Sequence, residues 1–337
     1  MVAHLLHSIR QRHRLCLRDF PLTTQPLLPE LSIDLEVEGF QVGAFSVICA
    51  TESQPDRVHQ IPLCIFKQNT GPVVCLISGV QRGDVSGTTV LQNLVQNIDI
   101  KNIQGTLIVC ASFTSASTQN RWSRDERNAI KHSFTQNLLD AADVIIDIGS
   151  GSGNTMNSPH VSIWPSEDEA SNDIAESLMF AMGAPDSVRR FDEPLPHSFA
   201  DYAKASNTTY LRVELGHFNT TDKSSRLMGI AQCQNALLHT GILSDGHFQL
   251  NSTRILETGK AEYKIQTPTS GLIHWHVELG GNVHRGNPIA HIFDPYNPFA
   301  EPICIDAKMN GVLLTKFSGA YCTPDNLLAV VADEVPR

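Results

Sequence analysis

A short apolar run that leads into a glycine-rich turn constrains the fold of this chain more than any other feature. The run covers residues 73–78, and the turn after it, residues 79–87, contains three glycines. The run is too short for a helix, so it predicts a central strand that is buried on both faces. Apolar residues recur at helical spacing beyond the turn, which predicts a helix with Ser86 available as its cap. Open α/β folds carry their chemistry at such a junction, at the carboxyl edge of the sheet.

Strands and helices alternate along most of the chain. Predicted strands lie at residues 45–50, 61–66, 107–111, 143–148 and 210–215. The first predicted helix covers residues 134–142. A second follows a capping box that begins at Ser166, and a third covers residues 222–240, where Gly241 ends the helix. This order predicts an α/β fold with a mostly parallel or mixed central sheet flanked by helices.

The pattern changes near residue 255. Beyond it, short predicted strands alternate with Gly, Asn and Pro turns, which predicts a small all-β barrel or sandwich. We therefore predict two domains, an α/β domain at residues 1–255 and a small β domain at residues 256–337.

Histidines concentrate in the predicted β domain. His274 and His276 would place two imidazoles on one face of a strand, and His284 and His291 follow further along. Such a set is more often a scatter of surface residues, and a metal site is the alternative.

Composition excludes several classes of partner. The net charge of −10 and the pI near 5.7 argue against a nucleic acid or an anionic membrane as partner. No apolar stretch approaches the ~20 residues that a transmembrane helix needs. The eight cysteines include no Cys-x-x-Cys pair, which predicts reduced thiols in a cytoplasmic protein. The arginine-rich residues 1–18 predict a basic surface helix rather than a transit segment.

The turn at residues 79–87 resembles the signature of the succinylglutamate desuccinylase/aspartoacylase family of zinc-dependent deacylases, which have a zinc carboxypeptidase-like fold. That signature reads Gly-x-His-Gly-Asp-Glu-x-x-Gly, and its His and Glu bind zinc. Gln81 occupies the His position here, and Asp84 occupies the Glu position. The strand at residues 143–148 is similar to a family strand that ends in Asp-Leu-His-Ser-Gly-Gly. Gly149 occupies the position of that second zinc-binding His.

Two further motifs extend the resemblance from about Phe45 to the C-terminus. The segment at residues 213–216 matches the strand of the family's catalytic glutamate, so the resemblance makes Glu214 the candidate catalytic residue. Arg121 lies in a segment similar to the family loop that holds the substrate carboxylate. The resemblance also implies that the small β domain is similar to biotinyl/lipoyl-like sandwiches.

The substitutions alter what the implied zinc site could do. A catalytic zinc ion needs about three protein ligands. Gln81 offers a neutral amide and Gly149 offers no side chain, so Asp84 is the one carboxylate left among the three positions. Without zinc, Glu214 has no activated water to deprotonate. The sequence therefore predicts a degenerate metal site.

Two classes of function follow. In the first, the chain is a catalytically silent or strongly impaired pseudoenzyme that binds a small carboxylate ligand or a partner protein. Glu214 then pairs with an arginine such as Arg121 or Arg212. In the second, it is an active metal-dependent hydrolase of N-acyl amino acids or related amides and esters, with His160 or His217 as substitute ligands. The sequence leaves open a homo-oligomer and a complex with an active homologous chain.

Overall fold

The computed structural model describes most of the chain. The described residues are 29–51, 54–81, 83–114, 123–151, 153–206, 208–216, 222–249, 252–260 and 263–336. The candidate residues Arg121 and His217 and the predicted basic helix at residues 1–18 lie outside them.

The described residues form nineteen strands and five α-helices. The strands are β1 (Pro29–Leu31), β2 (Gly39–Thr51), β3 (Gln54–Gln68), β4 (Val73–Ser78), β5 (Gly105–Cys110), β6 (Val144–Gly149), β7 (Thr155–Asn157), β8 (His160–Ile163), β9 (Asp186–Arg190), β10 (Thr209–Glu214), β11 (Arg254–Thr258), β12 (Lys264–Gln266), β13 (Gly271–Trp275), β14 (Asn282–Val283), β15 (Pro288–Phe293), β16 (Ile303–Asp306), β17 (Gly311–Phe317), β18 (Tyr321–Cys322) and β19 (Leu327–Val335). The helices are α1 (Ser86–Asn97), α2 (Arg124–Leu138), α3 (Glu169–Ala181), α4 (Phe199–Ser206) and α5 (Lys223–Thr240). None of these helices combines the length and the hydrophobicity that a membrane crossing requires.

One large mixed sheet runs through the molecule. Its strand order is β1-β2-β3-β5-β4-β6-β10-β8-β9-β11-β19-β17-β14. The central strands β5, β4, β6 and β10 are parallel, and the long hairpin of β2 and β3 joins them through an antiparallel pairing with β5. The predicted α/β class with a mixed central sheet is confirmed.

Helices cover both faces of this sheet. Apolar side chains of α1, α3 and α5 pack in one core, and those of α2 and α4 pack in a second core on the opposite face. Successive strand residues point to opposite faces, so β4 contributes Leu76 to the first core and Ile77 to the second. The carboxyl ends of the parallel strands β4, β6 and β10 meet at one edge of the sheet.

Two helices begin at residues other than those the sequence predicts. Helix α2 begins ten residues before residue 134, because Ser123 and Glu126 form a capping box that supports a polar first turn. Helix α3 is capped by Asp168 rather than by Ser166, since the Asp168 side chain accepts the hydrogen bond from the Ala170 N–H.

The C-terminal strands belong to two sheets. Strands β11, β19, β17 and β14 continue the large sheet, while β16-β15-β13-β18 form a separate four-stranded sheet. That small sheet shares a core of its own with residues of β17 and β19. The predicted division after residue 255 falls inside β11, which pairs with both β9 and β19. The division into two domains stays a prediction.

Phe134 is the test residue for the core beneath α2. It is fully buried and makes edge-to-face contacts with Phe45 and Phe113 at centroid distances of 5.4 and 5.2 Å. We expect Phe134→Ala to lower the free energy of unfolding by about 3–5 kcal/mol, because it leaves a cavity. Chemical denaturation measures this loss. The matched control is Phe299→Ala, at a side chain that is 95% exposed, where a change within about 0.5 kcal/mol is expected. Similar losses in the two variants would contradict this assignment of the core.

Candidate functional site

A buried ion cluster lies at the edge where β6 and β10 end. It consists of Asp84, Asp147, Arg212 and Glu214, none of which is more than 6% exposed. The sheet register brings the strand residues together, because Arg212 lies beside Asp147 and Glu214 lies beside Gly149. Arg212 and Glu214 are two residues apart on β10, so their side chains leave the same face of the strand.

Arg212 is the centre of this cluster. Its Nη1 donates to Asp147 Oδ1 at 2.7 Å, and its Nε donates to Glu214 Oε1 at 3.0 Å. Tyr210 donates its hydroxyl hydrogen to the other oxygen of Asp147 at 3.0 Å. Burial alone would lower the pKa of Arg212, but Asp147 and Glu214 hold that pKa well above its ordinary value. The cluster therefore contains a permanent positive charge.

Glu214 faces both Arg212 and a buried histidine. Burial alone would raise the pKa of Glu214, but Arg212 and, to a lesser extent, His160 hold that pKa below its ordinary value. His160 lies directly opposite Glu214 on the neighbouring strand β8, and its Nδ1 donates to the Ser158 carbonyl at 2.7 Å. Burial lowers the pKa of His160 even though Glu214 opposes this effect. The pair is therefore a carboxylate next to an imidazole that burial favours in its neutral form.

Asp84 connects the glycine-rich turn to the end of β6. Its N–H donates to the Gln81 carbonyl at 3.2 Å, which closes the turn. Its carboxylate accepts from the Ser86 N–H at 3.1 Å, from the Ser150 N–H at 2.8 Å and from Ser150 Oγ at 3.2 Å. Burial raises the pKa of Asp84, and Arg212 and these N–H groups only partly offset this effect. The Asp84 side chain thus binds the first N–H of α1, the helix for which the sequence predicts a Ser86 cap.

The space beside Gly149 is already filled. A Cβ atom at this position would lie 2.3 Å from Asp84 Oδ2 and 2.6 Å from Arg212 Nη2. Real Cβ atoms essentially never come within 3.0 Å of a heavy atom that belongs to a residue elsewhere in the chain. Any side chain at residue 149 would therefore require Asp84 or Arg212 to move.

The structure gathers four of the predicted site residues at this edge, namely Asp84, Gly149, His160 and Glu214. Gln81 is on the same turn, with its side chain partly exposed. In the described part of the chain, no three His, Cys, Asp or Glu side chains form a group that could hold a metal ion. The predicted roles of these residues stay predictions.

Sequence reasoning missed two members of the network, Asp147 and Tyr210. The available signal was a single carboxylate inside the otherwise apolar run at residues 144–148. A buried charge of this kind requires a partner of opposite charge, which here is Arg212.

Comparisons with known proteins identify the fold in which this site lies. No family model matches the chain. In sequence, the chain is 24% identical over 325 residues to an N-alpha-acetyl-L-2,4-diaminobutyric acid deacetylase from Halomonas elongata. The alignment covers 90% of this chain and 94% of that protein.

The solved structures show the same fold. The product-bound ectoine utilization protein EutE (DoeB) from Ruegeria pomeroyi matches with a TM-score of 0.81 and a sequence identity of 21%. The match covers 91% of this chain and 99% of the EutE chain. A succinylglutamate desuccinylase from Silicibacter sp. TM1040 matches with a TM-score of 0.82 and a sequence identity of 20%. The match covers 92% of this chain and 99% of the desuccinylase chain. The resemblance to the succinylglutamate desuccinylase/aspartoacylase proteins is confirmed in the fold.

The filled space beside Gly149 leads to a stability prediction. We expect Gly149→Ala to lower the free energy of unfolding by about 1–3 kcal/mol, because the added methyl group displaces Asp84 or Arg212. The matched control is Gly153→Ala, where no atom lies within 4 Å of the added Cβ. Urea denaturation of the two variants measures the difference. Equal stability would show that the site has room for a side chain at residue 149.

The lowered pKa of Glu214 leads to a pH prediction. A carboxylate whose folded pKa is depressed adds stability above its unfolded pKa, ordinarily 4.5 here, and this stability is lost as the pH falls through the folded pKa. We therefore expect Glu214→Gln to cost about 2 kcal/mol at neutral pH, and the cost to shrink as the pH falls below the ordinary pKa of 4.5. Denaturation series at several pH values measure this. The exposed Glu301→Gln variant is the control, and a cost for Glu214→Gln that is independent of pH would contradict the ionised pair.

Proposed function

We propose that this chain is a deacylase-fold protein in which the buried ion cluster replaces a catalytic zinc site, so that metal-dependent hydrolysis is absent or strongly impaired. The observation that carries the proposal is the position of the Arg212 guanidinium. Its Nη2 lies 2.6 Å from where the Cβ of a side chain at residue 149 would be, and the family resemblance places a zinc-binding histidine at this residue. A protein cation thus occupies space that a metal ligand would need.

The donor set does not fit a zinc ion. The carboxylate of Asp84 already accepts three hydrogen bonds, and Glu214 Oε1 is bound to Arg212. Two like unit charges about 4 Å apart repel by about 4 kcal/mol at the effective dielectric near a protein surface. A dication beside Arg212 would experience more than this, and the carboxylates that would have to offset it already bind Arg212 or backbone N–H groups. No metal-activated water is therefore assigned to Glu214, whose role becomes that of an ion-pair partner.

We further propose that the chain binds an N-acyl amino acid or another small carboxylate. The sequence relative from Halomonas elongata is named for an N-acetyl amino acid, which supports this class of ligand. A guanidinium can bind a carboxylate through two hydrogen bonds without a metal, and this is the role predicted for Arg121. A cytoplasmic location, a homo-oligomer and an active partner chain also stay predictions.

The alternative is an active hydrolase with rearranged metal ligands. One observation favours it, because His160 faces Glu214 across the β8–β10 pairing. In this alternative Asp84 and His160 would hold the metal and Glu214 would act as the base. It requires Arg212 to give up its ion pairs with Asp147 and Glu214, which makes it the less favourable arrangement.

Metal content and hydrolysis together test the proposal. The wild type, Asp84→Asn and Glu214→Gln are incubated with zinc and desalted, and their zinc is measured by elemental analysis. We expect the same zinc content in all three proteins, since neither carboxylate holds a metal. We also expect no zinc-dependent hydrolysis of N-acetyl amino acids, including N-alpha-acetyl-L-2,4-diaminobutyrate. Calorimetry with the same compounds should detect binding.

Two outcomes would contradict the proposal. If the wild type held about one more zinc per chain than Asp84→Asn and hydrolysed an N-acetyl amino acid, the rearranged hydrolase would be correct. If no compound in the panel bound, the ligand-binding part of the proposal would be wrong.

A further inference from the structure

The outward face of the four-stranded sheet carries three histidines and a cysteine side by side. His274 is on β13, and His291 lies directly opposite it on β15. Cys304 on β16 lies directly opposite His291 on its other side. His276 follows two residues after His274, and its N–H continues the ladder by donating to the Ile289 carbonyl at 2.9 Å. His291 is therefore the centre of this group.

Two of the side chains on this face already meet. His276 Nε2 and His291 Nδ1 are 2.5 Å apart, and the two rings meet edge to face at a centroid distance of 4.7 Å. The His274 ring lies 4.4 Å from the ring of Phe293. The Cys304 thiol is exposed and donates to Asp306 Oδ1 at 3.1 Å.

We propose that this face is a metal-binding site, separate from the buried ion cluster, with His276, His291 and Cys304 as ligands. Imidazole nitrogen and thiolate sulfur are the usual donors to zinc, and a water molecule or His274 would complete a tetrahedral site. The proposal does not depend on the proposed function, because Glu214 belongs to the other sheet and Asp84 to the turn after β4.

The third ligand requires a side-chain rotation. As described, the structure brings the two imidazoles together but contains no preformed group of three ligands. Directly opposed residues of antiparallel strands have their Cβ atoms about 5 Å apart, so Cys304 begins next to His291. Rotation of the thiol away from Asp306 brings sulfur towards the imidazole pair. The exposed position keeps the desolvation cost low for both the thiolate and the metal.

Zinc titration with matched variants tests the site. We expect the wild type to bind about one zinc per chain, and we expect His291→Ala and Cys304→Ser to weaken this binding at least tenfold. His284→Ala is the matched control, since His284 is an exposed histidine of the same region outside the cluster, and it should bind zinc as the wild type does. His291→Gln is a second variant that keeps a polar side chain on the strand if His291→Ala folds poorly.

Thiol protection gives an independent readout. Peptide mass spectrometry follows the rate at which iodoacetamide alkylates Cys304, and we expect zinc to slow this rate at least tenfold in the wild type but not in His291→Ala. An unchanged rate, or equal zinc binding by the wild type and His291→Ala, would overturn the proposal. Zinc binding that is lost in Asp84→Asn and kept in His291→Ala would also overturn it and would favour the hydrolase instead. Zinc binding that is kept in Asp84→Asn and Glu214→Gln supports it.

Discussion

The charge on Arg212 has to be balanced where it is buried, and the arrangement of the site follows from this requirement. Removing an ion from water costs several kcal/mol, so the buried guanidinium is tolerated only because Asp147 and Glu214 contact it directly. The contact with Asp147 joins β6 to β10 at the edge where the parallel strands end. Withdrawing both carboxylates would leave an uncompensated buried charge, which costs about 3–5 kcal/mol. Such an ion-pair network differs from a catalytic metal centre, which keeps one coordination position open for water.

The features that depend on neighbours in sequence could be predicted. The apolar run at residues 73–78 forms the buried strand β4, and Gly241 ends α5 with a φ of 79°, as a left-handed helix terminus requires. The sequence also offered Arg212 as one of two partners for Glu214, and the structure shows that pairing. A spacing of two residues on a strand puts both side chains on one face, so this partner needed no knowledge of the fold.

The features that depend on the order of strands could not be predicted. Asp147 binds Arg212 only because β6 and β10 are parallel neighbours in that register, although 65 residues separate the two side chains in sequence. The contact of His276 with His291 and the position of Cys304 opposite His291 likewise depend on the pairing of three strands. The predicted start of helix α2 is too far along the chain, because the residues directly after Ser123 are polar and show no apolar periodicity. A capping box stabilises this first turn instead.

The period of two along β10 separates the residues of the ion cluster from those of the apolar core. Leu211 and Val213 point into the core beneath α1, α3 and α5, whereas Arg212 and Glu214 point to the opposite face. Substitutions on the site face therefore leave the packing of the other face unchanged. At Gly149 the two requirements meet, because Leu215 N–H binds its carbonyl while its missing side chain makes room for Arg212. A side chain at residue 149 would therefore compete for space with Arg212 and Asp84, as they are placed in this chain.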